Sequence, residues 1–161
     1  YAASSCVIYP FALSHQKGKS TFHYVKSNPA YSGLRKRAYA KPNEEIVLIE
    51  TETAQLDDLL PADQSVQFIK IDVEGAELQV LQGATRVISQ WHPYIVFEFG
   101  LGASDYYDST PEKIFSLLRS CGLSISGLHD WLHHKPTLEL STFESLYQQK
   151  RDYYCMLLHI V

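Results

Sequence analysis

Phe68-Ile69-Lys70-Ile71-Asp72-Val73-Glu74-Gly75-Ala76-Glu77 decides the reading of this chain. Phe68 to Ile71 is a short apolar run broken only by Lys70, the pattern of a central strand in a parallel sheet. Asp72 stands where that strand ends. From Ala76 the period turns helical: Val80, Leu81, Ala84, Val87, Ile88 and Trp91 recur at three- and four-residue steps, with Gln79, Gln82, Arg86, Ser89 and Gln90 on the other face. A strand, a carboxylate and a helix in succession are the parts of an α/β crevice, where ligands bind outside the carboxyl ends of strands.

Downstream the alternation continues. His92-Pro93 ends the helix, because proline disfavours helical geometry in the residue before it. Tyr94 to Phe99 reads as a second buried strand with Glu98 near its carboxyl end. Thr110-Pro111-Glu112 opens a helix with threonine as N-cap and proline at the first turn, and Gly122 closes it. Leu123 to Leu128 is a further strand. Ser141-Thr142-Phe143-Glu144 is a capping box that starts a short helix, and Tyr153 to Val161 is a terminal strand. This order predicts an α/β three-layer sandwich with a mostly parallel, Rossmann-like sheet.

Upstream, Cys6 to Leu13 and Ser20 to Val25 read as strands joined by a polar, glycine-containing hairpin loop. Residues 27–45 lose periodicity and collect Pro29, Gly33 and Pro42 with Arg35, Lys36, Arg37 and Lys41. A loop of that length is either a lid or a solvated segment, and charge patterning favours the solvated one. Ile46 to Thr53 is β-rich, and Leu56 to Leu60 makes a turn or short helix closed by Pro61. Asp57 and Asp58 point in different directions on a helix, which makes them surface residues rather than a catalytic pair.

Composition narrows the class. The 161 residues suit one domain, 1–161, with enough length for a real core. A net charge of -4 gives no global reason to expect nucleic acid. Cys6, Cys121 and Cys155 are odd in number, lack C-x-x-C spacing and sit among apolar neighbours, so buried free thiols in a reducing, cytoplasmic setting are expected. No apolar run approaches the roughly 20 residues that span a bilayer, and no signal pattern opens the chain, so no membrane partner is expected. The start at Tyr1 and the immediate entry into a strand suggest a fragment.

Asp72 and Glu98 lead the candidates for chemistry. If their strands are neighbours, about 4.8 Å apart, the two carboxylates can serve one ligand. Asp72 can equally be an N-cap of the following helix. Lys70 lies on the same side of the strand as Asp72; an ion pair is its modest explanation and a substrate contact the sharper one. Glu74 and Glu77 fall in the expected first turn, where the helix dipole stabilises acids by about 0.3–1 kcal/mol. That structural reading is favoured for Glu77, while Glu74 stands closer to the crevice. Gly83 in mid-helix is explained by close packing against the sheet. His129 and His133 have i, i+4 spacing, yet no glutamate completes an H-E-x-x-H pattern, and no metal is expected.

The run from Phe68 to Ala84 resembles the motif of FkbM-type methyltransferases, which use S-adenosylmethionine. The resemblance extends to Ala12-Leu13-Ser14 with Gly18, to Leu56-Asp57-Asp58-Leu59, and to Pro93 through Glu98. It implies the class I methyltransferase fold, a seven-stranded sheet with helices on both faces, of which this chain would be the C-terminal portion, incomplete at its N-terminal side. The glycine-rich loop and acidic strand end that hold most of the cofactor would lie upstream of Tyr1. The implied activity is O-methylation of a hydroxyl on a sugar or secondary metabolite, a small-molecule partner. Asp72 would be base or hydroxyl-positioning residue, Glu98 and Glu74 substrate-side partners, and Lys70 the group that orients Asp72. Two other classes stay open: a non-catalytic binding module or degenerate methyltransferase, and a metal hydrolase using Asp72 and Glu98.

Overall fold

The computed structural model describes residues 6–39, 44–149 and 156–159. Lys41, Pro42, Cys155 and the outer parts of the expected terminal strand lie outside the described residues.

Two small sheets carry the strands. In the first, β1 (Ala12–Leu13) runs parallel to β3 (Ile46–Ala54), and β2 (Gly18–Val25) pairs antiparallel along the other side of β3. The expected hairpin between β1 and β2 is therefore replaced by a sheet with β3 in the middle. β1 is also much shorter than the run that suggested it. Val7 and Ile8 are 72% and 85% exposed, because pairing with β3 stops at Thr53 and leaves them no surface to bury against.

The second sheet has the order β4-β5-β7-β6, from β4 (Phe68–Ile71), β5 (Tyr94–Phe97), β6 (Ser124–Gly127) and β7 (Met156–His159). β4 and β5 are parallel, with Ile71 opposite Phe97. β7 is antiparallel to both of its neighbours, so the sheet is mixed rather than mostly parallel. Strand direction within a sheet is set by which distant strands pair, which no local pattern records.

The helices lie unevenly. Ile71, Ile95, Phe97 and Ile125 turn one sheet face toward α2 (Glu77–Gln82), α3 (Thr85–Trp91), α4 (Pro111–Ser120) and α6 (Leu140–Gln148), and together they form the buried core. Filling that core with side chains such as Phe97 and Leu118 stabilises the fold by about 1.5–3 kcal/mol each. The other face carries Phe68, Lys70, Tyr94 and Val96. Among the described residues the helix against it is α5 (Leu128–Leu132), whose Trp131 ring meets Tyr94 edge-on at 5.9 Å. Phe68 and Tyr94 remain 58% and 42% exposed. The described residues thus form a mixed α/β fold without the second full helical layer of a three-layer sandwich.

The long helix read from Ala76 to Trp91 is broken into α2 and α3 at Gly83. A Cβ there would lie 2.0 Å from the Ser14 carbonyl oxygen, so close packing next to β1 does explain this glycine. The Gly83 carbonyl accepts the Asp57 amide, from α1 (Leu56–Leu59), instead of continuing the helix. Asp57 then caps α3, accepting the amides of Arg86 and Val87 at 2.8 and 3.0 Å. Thr110 caps α4 as expected, accepting the Lys113 amide. The capping box at Ser141 does not form: α6 begins at Leu140 with Glu139 as N-cap and no side-chain cap. Of the described cysteines, Cys121 is buried and Cys6 is exposed, which corrects the expectation of a buried thiol at Cys6.

Candidate functional site

The register of β4 and β5 builds the site. Ile71 and Phe97 are partners on adjacent parallel strands, so Asp72 and Glu98, the next residues of each, leave the sheet side by side at its carboxyl edge. Both acids are exposed at the surface. Lys70 reaches along β4 to Asp72, with Nζ 2.5 Å from Oδ2. Lys70 is 63% exposed, so it is not the buried cation that an apolar strand suggested; the ion pair forms at the surface. The N-cap alternative for Asp72 fails, because α2 starts only at Glu77, with Ala76 as N-cap and no side-chain cap.

Beside β4 lies a cavity of about 290 Å³, lined by Leu13, Leu56, Ile71, Leu81 and Ile88 and, as its charged members, by Lys70 and Asp72. β1, α1 and the α2–α3 pair close it, so the break at Gly83 and the Asp57 cap also shape this space.

Between Asp72 and α2 the chain makes a tight turn. Glu74 has φ 55° and Gly75 φ 110°, both left-handed, so Glu74 belongs to the turn and not to the helix. A Cβ on Gly75 would lie 2.5 Å from the Ala103 carbonyl oxygen and 2.8 Å from the Tyr107 ring, which only glycine allows. The Glu74 carboxylate accepts from Arg37 at 2.9 Å, and the Arg37 side chain is only 4% exposed. Charge patterning groups this arginine with a solvated basic loop; the structure sets it against Glu74 of the turn and the Gly102 carbonyl, which sequence spacing does not connect to it.

Glu77 is the other residue that sequence reasoning undervalued. It is 3% exposed, and Oε1 accepts the Gly75 amide at 3.0 Å, while Oε2 is buried without a hydrogen-bond partner among the described residues. Burial pushes its carboxyl up to about 7; the Gly75 amide pulls it back, and the charges of Glu74 and Glu98 push it further up. Glu77 therefore sits in the electrostatic reach of both candidate substrate-side acids, which a helix-dipole role does not capture.

His129 and His133 stack at 4.3 Å on and just after α5, and among the described residues no group of three or more His, Cys, Asp or Glu side chains is placed to hold an ion. No helix is long and apolar enough to cross a membrane among the residues described.

Comparison with known proteins adds family evidence. The family model described as "Methyltransferase FkbM domain" matches residues 2–125. Among solved structures, the chain is similar to a Methyltransferase FkbM from Methylobacillus flagellatus KT, at 21% identity and a TM-score of 0.40, over 68% of this chain and 23% of that one. The region shared thus spans less than a quarter of that protein's length. No curated protein matches significantly.

Proposed function

Because the chain belongs to the FkbM methyltransferase family, we propose that it carries the acceptor side of an S-adenosylmethionine-dependent O-methyltransferase acting on a hydroxyl of a small molecule, a sugar or secondary metabolite. The observation that carries this reading is the Ile71–Phe97 register, which sets Asp72 and Glu98 together at the carboxyl edge of the parallel strand pair. In the complete protein the exposed face bearing Phe68 and Tyr94 would be covered by a second layer, giving the sandwich of the class I fold, with this chain as its C-terminal portion.

The residues present fit part of the cofactor. A mostly apolar cavity of about 290 Å³ lies at the lower bound of small-molecule sites, about 300 Å³, and its one carboxylate, Asp72, suits the neighbourhood of a sulfonium cation. When bound, S-adenosylmethionine supplies an electrophilic methyl. An aliphatic hydroxyl is a weak nucleophile, so Asp72 positions it and accepts its proton as the oxygen attacks. Lys70 orients the Asp72 carboxylate, and Glu98 and Glu74 bind further hydroxyls of the acceptor. Holding the acceptor in line supplies most of the acceleration.

A second reading, a binding module without turnover, draws on the exposure of the central pair: Asp72 is 48% and Lys70 63% exposed, and a base works best in a dry site. Calorimetric titration of the complete protein with S-adenosylmethionine separates the two, since micromolar binding supports the enzyme and absence of binding supports the module. Release of S-adenosylhomocysteine by the complete protein, offered a panel of hydroxylated sugars, then tests the site. Asp72→Asn should lower transfer by about 10²-fold or more with an unchanged melting temperature. Wild-type transfer by that variant removes Asp72 from the reaction.

A further inference from the structure

Residues 33–38 are held on the molecule almost entirely by polar contacts. The Arg35 amide donates to the Tyr107 hydroxyl at 2.9 Å, and the Arg35 guanidinium donates to the Tyr106 carbonyl at 3.1 Å. The Ala38 amide donates to the Tyr106 hydroxyl at 3.0 Å. Arg37 pairs with Glu74 at 2.9 Å and reaches the Gly102 carbonyl at 3.5 Å, with its guanidinium 5.4 Å from the Tyr31 ring. None of these residues belongs to the buried apolar cluster. Leu34 is half-buried and the Tyr107 ring is buried, yet a segment fastened chiefly by hydrogen bonds and an ion pair is one that opens locally at low cost.

The fastening meets a strained turn. Glu74 holds a left-handed φ of 55°, unusual for a non-glycine residue, and the carboxylate that Arg37 grips belongs to it. Arg37 itself is a buried cation with one N–H, at Nε, left without a partner among the described residues. A buried guanidinium in that state depends on its carboxylate.

We propose that Arg37 is a positioning residue: by pairing with Glu74 it fastens residues 33–38 as a strap over the turn that follows Asp72. When the strap is closed, the Glu74 carboxylate is engaged by Arg37; when it opens, that carboxylate is released toward an incoming hydroxyl. The use of Glu74 by an acceptor rests on the methyltransferase reading, whereas the strap and its latch do not.

Hydrogen exchange read by mass spectrometry on the full-length protein, without substrate, tests the latch. Arg37→Met and Glu74→Gln should each speed exchange across residues 33–38 by about tenfold, a change equal to about 1.4 kcal/mol in the opening equilibrium. Exchange in α4 and β5 should stay at the wild-type rate. Arg37→Lys should restore much of the protection, and the double variant Arg37→Met with Glu74→Gln should open no further than Arg37→Met alone. Wild-type protection in Arg37→Met would mean that the side chain only fills space, and overturns the proposal. Should Arg37→Met fail to fold, Glu74→Gln decides: unchanged protection there overturns it equally. Because turnover is not measured, a failed transfer assay leaves the strap standing, and a failed exchange test leaves the transfer reading standing.

Discussion

The Glu77 carboxylate closes back on the Gly75 amide at 3.0 Å, a contact that buries an acid two residues beyond the tightest turn of the site. Among the described residues one oxygen has a partner and the other has none, and the carboxyl is pushed by burial up to about 7. The folded state thus holds a proton over the range from about 4.5 to about 7 in which the unfolded chain has lost it. Stability from this group is present below the lower value and falls as pH rises through the upper one. The full difference amounts to about 3 kcal/mol. Denaturant midpoints at pH 5 and pH 8 should therefore fall with pH in the wild type, and Glu77→Gln should flatten that slope. Parallel slopes in the two proteins would remove Glu77 as the titrating group.

Two left-handed glycines give a matched pair. Gly75 has φ 110° and no room for a Cβ, while Gly102 has φ 100° with nothing within 4 Å. Alanine at Gly102 adds backbone strain of about 1–3 kcal/mol. Gly75→Ala adds the same strain and a collision with the Ala103 carbonyl, for a total of about 3 kcal/mol or more. Equilibrium unfolding of the two variants should rank them in that order; equal losses would show that the space at Gly75 is not limiting.

Asp57 acts across a long sequence gap. Its two oxygens receive the Arg86 and Val87 amides, and the Arg86 guanidinium donates to the Asp57 and Leu60 carbonyls. Asp57→Ala should cost about 1–2 kcal/mol, the usual value of a lost cap. Asp58→Ala, on the exposed neighbour, should change stability by less than about 0.5 kcal/mol. Thermal melts of both variants check the contrast, and a similar loss in each would deny Asp57 its capping role.

The Lys70–Asp72 pair is a case where stability and activity should separate. At 63% and 48% exposure, the ion pair is worth about 0–1 kcal/mol. Lys70→Met should therefore leave the unfolding midpoint nearly unchanged while lowering transfer by the complete protein, because Asp72 loses the group that orients it. Undiminished transfer would reduce Lys70 to a surface charge.

Elements whose cause is local were legible in the residues themselves. β4 occupies Phe68 to Ile71 as read, because the short apolar run and the acid and glycine after it are written in neighbouring residues. α4 starts at the Thr110 cap and Pro111, since a cap and its amide are three residues apart. The placement of Asp72 and Glu98 at two strand ends was legible in the same way, and so was the family, whose motif is the contiguous run from Phe68 to Ala84. Tertiary structure alone decided the rest. β3 lies between β1 and β2, and β7 reverses within the second sheet, because strand pairing is a choice among distant partners. The helix breaks where Gly83 meets Ser14, Arg37 is buried by Glu74, and Glu77 is desolvated behind Gly75. Burial and pairing are properties of which surfaces meet in space, and a charge pattern along the chain does not carry that information.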